Sequence, residues 1–162
     1  NLQGILRAVA DIPGPVVFPV HPRTRKTLEA LHYEPPDNAR LIEPLGYLDM
    51  IAVEQSARII LTDSGGIQKE AYWLGVPCIT LRSETEWVET VETGWNTLAG
   101  ADPDKIIQAV RHAEPPGLHP PLYGDGTAAL KIRDILFENK HAFQHASEEP
   151  SWEKHNSIRL NI

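Results

Sequence analysis

Arg58-Ile59-Ile60-Leu61-Thr62 runs directly into Asp63-Ser64-Gly65-Gly66, and the residues beyond the glycines change period. The first segment is a short apolar, β-branched run of the kind that is buried on both faces of a parallel sheet. After it, Ile67, Ala71 and Leu74 fall at i, i+4 and i+7. That spacing makes a helical stripe that packs on a sheet, over a helix predicted for 64–74 that Gly75 ends as a C-cap. Parallel strands are joined by crossovers of this type.

The alternation recurs along the chain. Apolar residues at Leu2, Ile5, Leu6 and Val9 predict a helix over 2–10, stopped by Asp11-Ile12-Pro13-Gly14-Pro15. Strands are expected at 16–20, 40–42, 77–81 and 96–99, and helices at 27–32, 47–57, 87–91, 103–112 and 127–138. Residues 115–121 form a Pro-rich loop. The end, 157–162, alternates weakly and has the form of a further strand. Strands and helices in alternation predict an α/β fold, a doubly wound parallel sheet of Rossmann-like type. Its domain is expected over 1–140, with a polar tail over 141–162. Ligands of such sheets bind beyond the carboxyl ends of the strands.

Composition narrows the function classes. The 162 residues carry a net charge of −7, and Arg23, Arg25 and Lys26 are the one short basic cluster. A nucleic-acid partner is not expected, because phosphate neutralisation needs many clustered cations. No stretch approaches the roughly 20 apolar residues of a membrane span, so no membrane partner is expected either. Cys78 is the single cysteine. Its Val-Pro-Cys-Ile-Thr context reads as a buried strand thiol in a reducing, cytoplasmic compartment. The seven histidines show no metal-ligand spacing, so no metal site is expected. The absence of an initiator methionine is expected of a fragment or a processed chain.

Placed at the end of a strand, Ser64, Gly65 and Gly66 combine a hydroxyl, a backbone that a ligand can approach closely, and the free N–H groups of a helix start. That is an anion site suited to a diphosphate. The same residues also suit a plain helix cap. Glu70, two turns into the helix, is badly placed for phosphate. A carboxylate there is suited to the two hydroxyls of a ribose, or it is a solvated face residue.

The run Asp63-Ser64-Gly65-Gly66-Ile67-Gln68-Lys69-Glu70-Ala71, then Leu74-Gly75-Val76-Pro77, then Leu81-Arg82-Ser83-Glu84-Thr85-Glu86 resembles the carboxyl-terminal domain of the non-hydrolysing UDP-N-acetylglucosamine 2-epimerases. Phe18-Pro19-Val20-His21-Pro22 and Tyr123-Gly124-Asp125-Gly126 resemble two further motifs of that family. The resemblance implies a two-domain fold of glycosyltransferase-B type with its site in the cleft. It implies conversion of UDP-N-acetylglucosamine to UDP-N-acetylmannosamine through elimination and re-addition of UDP, without cofactor or metal. By resemblance Ser64, Gly65 and Gly66 hold the diphosphate and Glu70 the ribose. Leu45 and Gly46 meet the uracil, Met50 stands where an apolar residue packs the ring, and His21 and Arg82 line the cleft. His21 is equally suited to be a satisfied loop histidine. The resemblance also implies a homodimer in the full-length protein and a place in cell-surface polysaccharide synthesis.

Two departures are visible. The family usually reads Thr-Glu-Arg-Pro-Glu where this chain has Thr85-Glu86-Trp87-Val88-Glu89. An indole cannot replace a cationic fork. Either Arg82 meets the same group, or the substrate is a modified UDP-hexosamine or that of a related glycosyltransferase, and Trp87 also fits an apolar plug. Lys69 stands where an acidic residue is common, and is expected on the solvated face. The chain begins after the family's Gly-His-Arg-Arg stretch, so the first, central strand is expected to be missing, leaving its neighbours unpaired; the segment 157–162 is a candidate to fill the gap. The family's acid/base carboxylates belong mainly to the other domain, so a UDP-binding fragment that is inactive alone is a third reading.

Overall fold

The computed structural model describes residues 2–138. It divides into two compact units, one ending at Pro120 and one beginning at Pro121. The segment 157–162 and the expected tail lie outside the described residues.

In the first unit five strands alternate with helices: α1 (Leu2–Asp11), β1 (Val16–Pro19), α2 (Pro22–Ala30), β2 (Ala39–Ile42), α3 (Tyr47–Ser56), β3 (Ile60–Thr62), α4 (Gly65–Leu74), β4 (Cys78–Thr80), α5 (Val88–Glu92), β5 (Asn96–Leu98) and α6 (Pro103–His112). Every strand pair is parallel, with Val16 opposite Ala39, Ile60 opposite Cys78, and Cys78 opposite Asn96. The strands form two sheets, β1-β2 and β3-β4-β5. Among the described residues no strand bridges β1 and β3, the two that the sequence reading expects to be left unpaired.

Helix ends follow local chemistry. Asp102 caps α6, accepting from the N–H groups of Asp104 at 3.0 Å and Lys105 at 3.2 Å, with Pro103 in the first turn. Gly75 adopts φ 67°, and the N–H groups of Gly75 and Val76 return to the carbonyls of Tyr72 and Ala71. That is a Schellman ending, sealed by apolar packing of Val76 with Ala71. Helix α2 starts five residues earlier than its periodicity suggests, because Pro22 occupies the first turn and the His21 ring accepts from the Arg23 N–H at 3.3 Å.

Helix α1 belongs to two cores. Ile5 and Ala8, with Ile12 just past the helix end, pack with Ile79, Ala99, Ile106 and Val110 over the three-stranded sheet. Leu2 and Leu6 pack with Phe18, Val20, Leu28 and Leu41 over the two-stranded sheet. The Asn38 amide donates to the Val9 and Ile12 carbonyls at 3.0 and 2.9 Å, while its backbone carbonyl receives the Val16 N–H at 2.7 Å. Farther on, the Tyr72 and His119 rings stack, and Trp95 meets both edge-on. The Trp95 indole donates to the Leu118 carbonyl at 2.8 Å, so the Pro-rich segment is fastened down.

The second unit holds α7 (Ala128–Glu138). Asp125 accepts from the Thr127 N–H at 3.0 Å and from the Lys131 ammonium, the helix-start role its Gly-Asp-Gly-Thr setting implies.

Gly4 sets how closely α1 approaches α6. A Cβ there would overlap the Ala101 carbonyl oxygen and lie 3.7 Å from Pro103. Backbone cannot yield as a side-chain tip does. Gly4→Ala is therefore expected to lower stability by about 1–3 kcal/mol, the usual cost of overpacking. The midpoint of chemical denaturation reads this directly, and an unchanged midpoint would contradict the close approach.

Candidate functional site at the strand ends

The candidate residues follow their strands at a common offset. His21 comes two residues after β1, Ser64 two after β3 and Arg82 two after β4; Leu45 comes three after β2. Because the strands in each sheet are parallel, all of them sit at carboxyl ends.

Ser64 is the N-cap of α4, with extended backbone at φ −86° and ψ 124°, yet its hydroxyl makes no capping bond. Its N–H donates to Thr62 Oγ1 at 3.0 Å. The exposed hydroxyl is thus not spent on its own helix, which disfavours the plain-cap alternative. Gly65 is closely overlain by side chains of the loop after β4. A Cβ there would collide with Glu86 Oε1 and stand 3.1 Å from Trp87 Nε1. The loop after β4 therefore lies directly over the first turn of α4. Gly66 is open, with Ser64 Oγ the nearest atom to a Cβ, at 3.7 Å.

Arg82 joins this group through Glu86, Nη1 to Oε2 at 3.2 Å. Beneath them runs a buried polar network. The Thr85 hydroxyl donates to Gln68 Oε1 at 2.6 Å and receives the Trp87 N–H at 3.1 Å. The Asn96 amide donates to Gln68 Oε1 and to Thr90 Oγ1, each at 3.1 Å, and Asn96 Oδ1 accepts from Thr80 at 2.8 Å. Gln68, Thr80 and Thr90 are fully buried. The most buried line of α4 is Gln68, Ala71 and Tyr72, rotated from the Ile67-Ala71-Leu74 stripe that periodicity suggests.

The two departures from the family pattern touch each other. The Lys69 ammonium lies 4.4 Å from the centre of the Trp87 ring and 5.5 Å from that of Trp73. Lys69 is half-buried, not on a solvated face as its sequence context suggests. A lysine and a tryptophan so placed are a cation–π pair.

Glu70 is half-buried on the same helix. Near it lies Glu54, on α3, which packs against α4. Glu54 is 2% exposed, and neither carboxylate oxygen has a hydrogen-bond partner. Burial, with a smaller push from the Glu70 charge, raises its pKa from 4.5 to about 7. The sequence reading missed Glu54, because Tyr47 and Leu48 dominate the apolar pattern of α3 and both turn out to be exposed.

The exposed His21 ring caps α2. Leu45 and Met50 are half-buried on either side of the Gly46 N-cap of α3. Depressions of about 290 Å3, beside Lys105 and His112, and about 320 Å3, beside Arg7 and Tyr33, include no candidate residue. Among the described residues no cluster of His, Cys, Asp or Glu suits a metal ion, and no helix is long and apolar enough to cross a membrane.

The profile of the family described as UDP-N-acetylglucosamine 2-epimerase matches residues 1–137. A UDP-N-acetylglucosamine 2-epimerase homolog of Methanococcus maripaludis is 47% identical over 141 residues, covering 84% of this chain and 40% of that protein. A UDP-2,3-diacetamido-2,3-dideoxy-D-glucuronate 2-epimerase of Pseudomonas aeruginosa is 42% identical, covering 84% and 39%. The crystal structure of Methanocaldococcus jannaschii UDP-GlcNAc 2-epimerase with UDP-GlcNAc and UDP superposes with TM-score 0.72 and 38% identity, over 85% of this chain and 39% of that one. The chain thus spans about 40% of the length of the relatives it matches.

Glu54 gives the fold a pH dependence whose sign is fixed. Its folded value lies above the unfolded one, so the proton's contribution is fully present below about 4.5 and lost as pH rises through about 7. Glu54→Gln does not titrate. Its stability relative to wild type is expected to improve by on the order of 3 kcal/mol between pH 4.5 and 8, measured by denaturant unfolding at both values; a constant difference would contradict the buried neutral acid.

Proposed function

This chain belongs to the UDP-N-acetylglucosamine 2-epimerase family, and on that premise we propose that it is the nucleotide-binding half of an enzyme that interconverts UDP-N-acetylglucosamine and UDP-N-acetylmannosamine. The observation that carries the reading is the start of α4. There a Ser64 hydroxyl that makes no capping bond and a Gly65 overlain by the Glu86 and Trp87 side chains stand at the carboxyl end of β3. Ser64, Gly65 and Gly66 receive the diphosphate, Glu70 accepts from the ribose hydroxyls, Leu45 and Met50 lie along the uracil, and His21 and Arg82 face the sugar side.

The chemistry follows from that division. Breaking the bond from the anomeric carbon to the UDP oxygen leaves an electron pair, and so charge, on the diphosphate. Helix N–H groups already aimed there stabilise that charge as it develops. Loss of the proton from C2 completes a glycal, and re-addition of UDP with a proton on the opposite face gives the epimer. The proton transfers call for acid/base carboxylates, assigned here to the partner domain across the cleft. The protein acts in the cytoplasm as a homodimer, on substrates destined for surface polysaccharide.

A second reading has its own support. The Lys69–Trp87 pair alters the rim of the site, and a relative at 42% identity bears the name of a diacetamido-glucuronate epimerase. That favours a modified UDP-hexosamine as an alternative substrate.

Incubating the full-length protein in deuterium oxide with UDP-N-acetylglucosamine is expected to give the mannosamine product and deuterium at C2, followed by proton NMR. Turnover confined to a modified UDP-hexosamine selects the second reading, and no exchange with any UDP-hexosamine removes both. Glu70→Ala is expected to weaken UDP binding by about 1.5–3 kcal/mol, the worth of hydrogen bonds to a charged group; equal affinity by titration calorimetry takes Glu70 out of the site.

A further inference from the structure

Lys69 follows Gly65 by four residues on α4, so the two positions stand on one face of the helix, about 5–6 Å apart. Helix side chains lean toward the N-terminus, which carries the Lys69 ammonium from the second turn back toward the first. There it meets Trp87. The ammonium lies 4.4 Å from the centre of that ring, and Trp87 Nε1 lies 3.1 Å from where a Cβ of Gly65 would stand. One indole thus approaches both the start of α4 and the ammonium. The centre of the Trp73 ring is 5.5 Å from the same ammonium. Indole faces attract a cation through the ring quadrupole and leave its charge uncancelled.

That charge matters because the other side chains of this turn do not favour an anion. Arg82 is engaged by Glu86 at 3.2 Å, and the Glu86 carboxylate lies over Gly65. Those two charges cancel. Asp63 precedes Ser64 and Glu70 follows Lys69, and both carboxylates repel a diphosphate. The roughly half unit of positive charge at a helix start does not offset them. We propose that Lys69, seated on Trp87, is a further diphosphate-binding cation of this site, with the indole as its platform. Its compact ammonium sits on a flexible stem, and one turn of helix is within the reach of that stem. The inference rests on the assignment of Ser64, Gly65 and Gly66 to the diphosphate.

The test uses the full-length protein and UDP, a probe with no sugar beyond the diphosphate, so that a carboxylate on a modified hexosamine plays no part. Calorimetry is done in about 50 mM and about 500 mM sodium chloride, because screening by salt separates charge from packing. Lys69→Gln is expected to weaken UDP binding roughly 10-fold at the lower salt, the worth of one hydrogen bond to a charged group. At the higher salt the loss is expected to shrink to about 2-fold. Lys69→Arg keeps the charge and stacks on an indole, and is expected to retain the greater part of the affinity. A residue that only packs loses affinity by the same factor at both salts, and that result overturns the proposal. So does an undiminished affinity in Lys69→Gln, or a loss in Lys69→Arg as large as in Lys69→Gln. Wild type that binds no UDP at either salt overturns the nucleotide-site reading and this inference with it; the other adverse results, with UDP bound by wild type, overturn this inference alone.

Discussion

Among the described residues the two parallel sheets share no ladder, and α1 packs on both. Ile5 and Ala8 lie over the three-stranded sheet and Leu6 over the two-stranded one. Gly4 lets the helix close on the turn before α6, and Asn38 ties its last carbonyls to the start of β2. Backbone ladders make each sheet, but apolar burial on α1 makes them one unit. The strand ends that carry the candidate residues stand in a common frame because of it.

Much of this frame is legible in the residue pattern because it is local. Apolar β-branched runs mark the strands, and Gly75, Pro103 and Asp102 mark helix ends through their own backbone chemistry. The offset of candidate residues from their strands follows from parallel pairing. Ser64 and Gly65 were readable for the same reason, since a glycine-opened helix after a strand is a short-range signal. The structure adds what lies over Gly65: the side-chain tip of Glu86, from a loop some twenty residues away.

The rest depends on contacts between distant segments. Gln68 reads as an exposed helix position until Thr85 and Asn96 are seen to bracket it. Lys69 and Trp87 look like unrelated departures from the family until their 4.4 Å contact is seen. Glu54 was hidden by its neighbours, since Tyr47 and Leu48 supply the apolar signal of α3 while lying in solvent. Periodicity detects that a helix has a buried side; it cannot say that a carboxyl group occupies it.

The network through Thr80, Asn96, Gln68 and Thr85 has a consequence for the thermodynamics of association. The loop over α4 is fastened from below by hydrogen bonds among buried groups, so its rotamers and backbone are already fixed before any ligand arrives. The entropy of ordering that loop is lost once, during folding, and is not charged again at each encounter. A ligand bound as proposed above would meet a loop already held in place by those buried bonds.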